Sequence, residues 1–346
     1  MTRVSVDIGQ YRSFLRGYGM GFWRWDKKLD LRGRPGVLRL GFWGSGSGFS
    51  VNQHQSNMVV SKGETVVFID LGSKLTQRLA EFGLSVHDIP NVIITHSHAD
   101  HVGSMEELGL KRRYEAPVLK AMEEGLGLPT GANDGLWKRA DAIRRSGLLR
   151  VPVYVPEEYA VDLWKQSLQG GMGHSEEGEK GSPGSIMGFT DFYDLKPVAR
   201  RAWRHGREAW EFTVGGGADA IHFLIYRTPH IPEAVSRIDH TFFSAGIILD
   251  ERVLISGDTR HDPDVIREEG MRAEHVFHDC QSFPGGVHAY YGELKSLPAE
   301  VRRKILFYHC DDGMRPLKPD GTIGAVDVLK DGFRGFAETA PVFYEF

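Results

Sequence analysis

An α/β layered domain is the fold class this sequence predicts, on three observations. Short apolar runs bounded by Gly, Ser and Asn open the chain, segments of helical periodicity then alternate with such runs, and several later runs each end in His or Asp. Strands separated by turn residues and interleaved with helices stack as layers that present functional groups at strand ends.

Residues 1–35 mix aromatic, cationic and acidic side chains without periodicity and end at Gly33-Arg34-Pro35, so they form an N-terminal extension to a domain over 36–346. From Gly36, the stretches GVLRLGFWGSGSG, SNMVVSK and GETVVFIDLG carry strand and hairpin chemistry. LTQRLAEFGL places Leu75, Leu79 and Phe82 at helical spacing, and PNVIITHSHADHVGSMEELG reads as a buried strand, a loop and a new helix. A largely helical stretch runs from Tyr114 to Arg150, followed by a strand in VPVYV and a helix in PEEYAVDLWKQSL; together they make a helical and loop insertion at about 110–190. Its last part, Gln169 to Phe189, is rich in Gly, Ser and Glu. So few apolar anchors cannot offset the entropy of ordering, and a mobile loop covering the site is expected. Strands resume in FYDLKPV, EAWEFTV, AIHFLIYRT, FFSAGIIL, RVLISG, HVFHDC and KILFYHC.

Composition narrows the function. Hydrophobic residues make up 41% and charged residues 25% of the 346 positions, which excludes collagen-like, coiled-coil and wholly disordered chains. Lys+Arg at 42 against Asp+Glu at 46 leaves a net charge of −4, too even for a nucleic-acid coat or a membrane-surface protein, so an anionic ligand must be held locally. The only cysteines, Cys280 and Cys310, form neither a disulfide scaffold nor a C-x-x-C pair, which points to a reducing cytoplasm. No signal-type apolar region and no run of about 18 apolar residues occurs, so no membrane partner is expected.

The chemistry concentrates in Thr95-His96-Ser97-His98-Ala99-Asp100-His101, directly after the strand NVIIT. In extended backbone His96 and His98 point to one side, and as the helix begins Asp100 and His101 swing to a second point. One segment thereby feeds two adjacent cations, provided distant residues complete both shells. His230 in FLIYRTPH, Asp258 in VLISGDTR and His309 in ILFYH end later apolar runs and supply that completion. The expected set is His96, His98 and His230 on one metal and Asp100, His101 and His309 on the other, with Asp258 and a hydroxide bridging. Imidazole and carboxylate donors without thiolate suit two Zn²⁺, with Mn²⁺ or Fe as alternatives. His240, before the strand FFSAGIIL, competes with His230 for the third position; His222, inside AIHFLIY, reads as a strand residue.

HSHADH resembles the H-x-H-x-D-H motif of the metallo-β-lactamase superfamily. The resemblance runs from about Gly36 to Asp312 through FIDLG at Asp70, HSHADH, a strand-ending His, SGDT at Asp258 and a strand ending in His309. It implies a four-layer αββα sandwich with a dinuclear, mostly zinc-dependent hydrolytic site at one edge, and places Asp70 as the carboxylate that orients a ligand imidazole. LGFWGSGSGFSVNQHQSN resembles the first hairpin of the phosphodiesterase and tRNase Z-like branch, and HDCQSFPGGVH the segment carrying an extra active-site histidine, here His288. That histidine could protonate a leaving alkoxide or bind an anionic oxygen. His309 is followed by Cys-Asp-Asp-Gly, without the serine, arginine and tyrosine found after the last ligand in tRNase Z. The expected substrate is therefore a small phosphodiester, a nucleotide or cyclic nucleotide, rather than a nucleic acid, with His288, Asp100 and Asp258 carrying catalysis.

Competing readings are a thioesterase resembling glyoxalase II, a β-lactamase-like hydrolase and a non-enzymatic metal-stabilised module. A homodimer is compatible with every one of them. Arg200, Arg201, Trp203, Arg204, His205, Arg207 and Trp210 interleave cations with aromatics and could grip phosphate or bases, against the plainer reading of a solvated face. The remaining histidines read as surface or packing residues, with His278 and Asp279 the exceptions because they precede the His288 loop. Cys310 is expected to point away from the site.

Overall fold

Apolar side chains alternate along the strands, and where each set is buried decides the architecture. The computed structural model describes residues 2–5, 28–123, 134–175, 184–232, 242–314 and 323–346. In chain order its strands are β1 Thr2–Ser5, β2 Leu38–Phe42, β3 Met58–Lys62, β4 Thr65–Ile69, β5 Val92–Ile93, β6 Val151–Tyr154, β7 His174–Ser175, β8 Ser185–Ile186 and β9 Tyr193–Lys196. They continue with β10 Ala199–Ala202, β11 Glu208–Val214, β12 Ile221–Arg227, β13 Ala245–Leu249, β14 Val253–Ile255, β15 His275–Cys280, β16 Ile305–Cys310, β17 Gly335–Phe336 and β18 Val342–Glu345. One sheet has the order β1-β18-β2-β3-β4-β5-β6-β9 and the other β10-β11-β12-β13-β14-β15-β16-β17.

Three hydrophobic clusters separate four layers. Val60, Val67 and Ile69 of the first sheet pack with Phe223, Ile255, Phe277 and Tyr308 of the second, forming the core between sheets. The alternate residues Val59, Val66 and Phe68 point the other way, toward Leu75, Leu79, Met105 and Leu163 on helices. On the far side, Val276, Ile305 and Phe307 pack against Val265, Ile266, Leu294 and Val301. Two-residue periodicity thus assigns one face of each sheet to the other sheet and one to helices, the αββα sandwich.

Each sheet changes from antiparallel to parallel pairing. The first is antiparallel from β2 to β4 and parallel from β4 through β5 and β6 to β9. The second is antiparallel from β10 to β14 and parallel from β14 to β17. The C-terminal ends of β4, β5, β14, β15 and β16 carry or lead into clustered His and Asp residues, where α/β sheets present their functional groups.

The segment Gln169 to Phe189 differs from the mobile loop expected of it. Gln169–Met172 and Phe189–Phe192 are helical, β7 pairs with β8, and Met172 and Phe189 are buried in the first helical interface. Met172, Met187 and Phe189 are anchors that an average over a Gly- and Ser-rich window conceals; residues 176–183 lie outside the described set. The insertion also supplies β6 to the first sheet, which then pairs with β9 just beyond it. Among the described residues no helix is long and apolar enough to cross a membrane.

Candidate metal centre

Strand ends aim the side chains. Asp70, at the end of β4, turns through the left-handed region at φ 64, a conformation Asp tolerates better than most residues. Its carboxylate accepts from the Thr95 backbone N–H at 2.8 Å and the Thr95 hydroxyl at 2.8 Å, and holds His101 Nδ1 at 2.7 Å. That bond leaves His101 Nε2 facing inward. His98 caps the helix Ala99–Val102, which carries Asp100 and His101 in one turn. His96 Nε2 and His98 Nδ1 lie 3.0 Å apart.

Distant residues arrive from the second sheet. His230 follows β12, and its Nδ1 bonds the Val287 carbonyl at 2.9 Å, which turns Nε2 to within 3.3 Å of His98 Nδ1. Asp258 follows Gly257, whose φ of 63 makes the turn; Thr228 and Ser244 hydroxyls each donate to the Asp258 carbonyl at 2.9 Å and pin it. Asp258 Oδ2 then stands 3.6 Å from His96 Nε2, 3.5 Å from His101 Nε2 and 3.4 Å from His309 Nε2. His309 is the extra residue of a bulge: Asp279 pairs with Tyr308 and Cys280 with Cys310, leaving His309 unpaired at φ 51. A bulge re-aims a side chain, and His309 Nε2 comes to 3.1 Å from Asp100 Oδ2 and 3.3 Å from His101 Nε2.

The donors fall into three groups that could each hold a cation: His96, His98, His230 and Asp258; Asp100, His101 and His309; and Asp258, Asp279, His288 and His309, with Asp258 within reach of the second group as well. Donors about 2.1 Å from a common ion in a tetrahedron lie roughly 3.4 Å from one another, and the separations above of 3.0–3.6 Å match that edge. Asp258 Oδ1 is buried without a hydrogen-bond partner, which buried polar atoms rarely tolerate. The residues therefore fit divalent cations.

Electrostatics prepare the donors. Burial pushes His96 well below the usual imidazole range, with the neighbouring His101 adding, and burial likewise lowers His98 and takes His230 down to about 4. These shifts favour the neutral ring, the form that ligates. Burial opposes charge on Asp258, yet His309, His101 and His96 hold it well below the carboxylate range. Burial is likewise overcome at His101, raised well above its range by Asp258, Asp70 and Asp100.

His288 stands beside these groups, with Nδ1 2.9 Å from Asp279 Oδ2 and 3.8 Å from Asp258 Oδ2. Despite burial, the bond to Asp279 lifts His288 to about 9. The partnership with Asp279 is not legible in the sequence, although Asp279 lies one residue before the end of its strand, as His309 does. Phe242, stacked on His98 at 5.0 Å between ring centroids, gave no signal in the sequence.

His240 lies outside the described residues. His222 sits on β12, paired in register with Thr213, with Nε2 3.8 Å from Glu211. The arginine cluster is ion-paired: Arg200 with Glu208, Arg201 with Glu211, Arg204 with Glu269 and Arg207 with Asp262, while Trp203 and Trp210 are buried. Its cations are satisfied by carboxylates of the same chain. Cys280 and Cys310 are buried among the helices outside the second sheet.

The Anti-Pycsar protein Apyc1 family model matches residues 38–142 and 144–342. The chain is 27% identical over 300 residues to the Anti-Pycsar protein Apyc1 of Paenibacillus sp. (strain J14), covering 85% of this chain and 97% of that protein. It is 25% identical over 285 residues to the protein of that name from Bacillus phage vB_BveM-Goe7, covering 80% and 91%. Among solved structures, the metallo-beta-lactamase fold protein YhfI from Bacillus subtilis is similar in fold, with a TM-score of 0.51 at 12% identity over 90% of this chain and 100% of that one.

Proposed function

Because the chain belongs to the Anti-Pycsar protein Apyc1 family, we propose that it is a dinuclear metallohydrolase that cleaves a small phosphodiester, a nucleotide or cyclic nucleotide. The observation that carries this reading is Asp258 Oδ2, within 3.4–3.6 Å of ligating nitrogens from the first two donor groups. His96, His98 and His230 would hold one Zn²⁺, Asp100, His101 and His309 the other, and Asp258 would bridge; Mn²⁺ or Fe would satisfy the same donors. Such cations supply water activated near neutral pH and offset negative charge gathering on the phosphoryl oxygens.

The protein's own groups orient and protonate. Asp70 sets the His101 tautomer and the Val287 carbonyl that of His230. Water adds to phosphorus and releases a proton to solvent, one P–O ester bond breaks, and the departing alkoxide takes a proton from His288, which solvent replaces. Asp279 holds that ring in place and favours its charged form. An alkoxide is a poor leaving group, so the proton matters; a thiolate leaves without one.

The test is a panel of 3′,5′-cyclic nucleotides, a bis-aryl phosphodiester, lactoylglutathione and a lactam, each offered to zinc-loaded protein. Turnover of the diesters is the expected result, with a nucleoside monophosphate as product from the cyclic nucleotides and an aryl phosphate and a phenol from the bis-aryl diester. Dominant thioester cleavage with no diester turned over replaces the phosphodiesterase reading with the thioesterase one.

A further inference from the structure

Two loops beside the centre hold apolar side chains out into solvent while their backbones are fixed. In the first, the Ser47 N–H donates to the Cys310 carbonyl at 3.0 Å, and the Ser50 N–H closes a turn on the Ser47 carbonyl at 3.1 Å. The Ser50 hydroxyl and the Val51 N–H donate to the two oxygens of Asp312 at 2.7 and 3.0 Å. At the apex Phe49 is 99% exposed and Val51 83%. A Cβ placed on the adjacent Gly48 would stand 2.9 Å from the Asp100 carboxylate, so the turn rests directly on a donor of the centre.

The second loop runs from Gln281 to His288. The N–H and hydroxyl of Ser282 donate to Asp311 at 2.5 and 2.8 Å, and Gln281 Nε2 donates to the Phe283 carbonyl at 2.8 Å. Phe283 is 53% exposed, and the same loop supplies Val287 to His230 and His288 to the centre. Asp311 and Asp312 are consecutive, with Cα atoms about 3.8 Å apart, and follow directly on β16 and His309. The Cys-Asp-Asp-Gly segment therefore brackets both loops to one point at the edge of the donor cluster.

Scattered apolar residues on a surface call for no explanation. Phe49 differs because hydrogen bonds on both sides fix the turn that carries it, one residue from Gly48, which lies so near Asp100 that a Cβ there would crowd the carboxylate. We infer that Phe49, with Phe283 on the adjoining loop, is a stacking platform for the base of the nucleotide whose phosphate lies at the centre, an inference that rests on the phosphodiester reading. A cyclic nucleotide carries its charge on the phosphate, which the cations draw in, leaving the flat base to extend toward the rim. An aromatic ring recognises the π-face common to all bases, so the platform favours nucleotides over base-free diesters without choosing among bases.

The experiment compares 3′,5′-cyclic nucleotides of the four bases with their abasic counterpart, 1-O-methylribose 3′,5′-cyclic phosphate, on zinc-loaded protein of equal metal content. Phe49→Ala is expected to raise KM for every base-bearing substrate roughly 5- to 150-fold, with kcat and all kinetics on the abasic diester within about twofold. Phe49→Trp is expected to restore KM. Equal loss on both substrate types, no loss on either, or a loss that accompanies conversion of a dimer to a monomer in sedimentation would each overturn the platform. In the last case the ring belongs to a contact between subunits. Wild-type protein inert toward every cyclic diester refutes the phosphodiester reading and the platform together, whereas active wild type with an indifferent Phe49→Ala refutes the platform alone.

Discussion

Asp258 is the residue on which the centre turns, because removing its charge affects the donor groups of both proposed cations at once. Asp258→Asn preserves shape and is expected to leave the protein with about one equivalent of metal or fewer after desalting, against two in the wild type. Asp70→Ala acts only through His101 and should weaken metal affinity roughly 10- to 100-fold; elemental analysis with a chelator titration separates the two. Equal, complete loss in both variants would contradict this ranking. His230→Ala is expected to lose metal while His240→Ala keeps it, measured the same way. His288→Ala should slow cleavage of an alkyl or nucleotide diester by about 10²- to 10⁴-fold and affect a bis-aryl diester less, since an aryloxide needs less help to leave. The donors were legible in the sequence because each sits in or just after an apolar run or in the compact HSHADH segment. The Asp279–His288 pairing was not, since nothing in local spacing says that a residue on β15 faces a loop nine positions on.

Elements aim the donors through backbone geometry, and one glycine shows how closely. Gly257 has φ 63, and a Cβ there would meet the Ala245 carbonyl oxygen at 2.1 Å. Gly257→Ala is therefore expected to destabilise the protein by at least about 1–3 kcal/mol and to lower metal content by displacing Asp258, as read from denaturant unfolding and elemental analysis. At the start of β15, His275 lies against Arg334, whose Nη1 donates to its Nδ1 at 2.9 Å. Burial first, and then Arg334, bring His275 down to about 4. An unfolded histidine titrates near 6.5, so between about pH 6.5 and 4 the unfolded chain binds the extra proton and stability falls as pH falls. Denaturant unfolding of His275→Gln should show a shallower loss across that window, and an unchanged slope would contradict it.

Strand identity was legible wherever short apolar runs stand between turn residues, from Leu38 to Ile69 and in the strands between Glu208 and Cys310. Two features escaped that reading. The bulge that singles out His309 depends on the register of two strands, which hydrophobic pattern alone leaves open by one residue. The short pieces Gln169–Met172 and Phe189–Phe192 are fixed by tertiary burial of Met172 and Phe189 rather than by any periodicity of their own.

At the scale of the molecule, two sheets meeting face to face carry the donors on both sides of a single seam: Asp70 to His101 from the first sheet, His230 to His309 from the second. Cations bound there would tie the halves together and stabilise the folded state by mass action. At free metal a hundredfold above Kd, the gain is about 2.7 kcal/mol. Chelation is therefore expected to lower Tm measurably and zinc to restore it, whereas a Tm indifferent to chelator would contradict a cation-bridged seam. The central claim is that water attacks phosphorus in a cyclic diester at this centre. Hydrolysis of a 3′,5′-cyclic nucleotide by zinc-loaded protein in ¹⁸O-water, read by mass spectrometry, tests it most directly. The account predicts a nucleoside monophosphate carrying a single ¹⁸O on its phosphate, formed by wild type and not by Asp258→Asn; no product, or product without ¹⁸O on phosphorus, would contradict it.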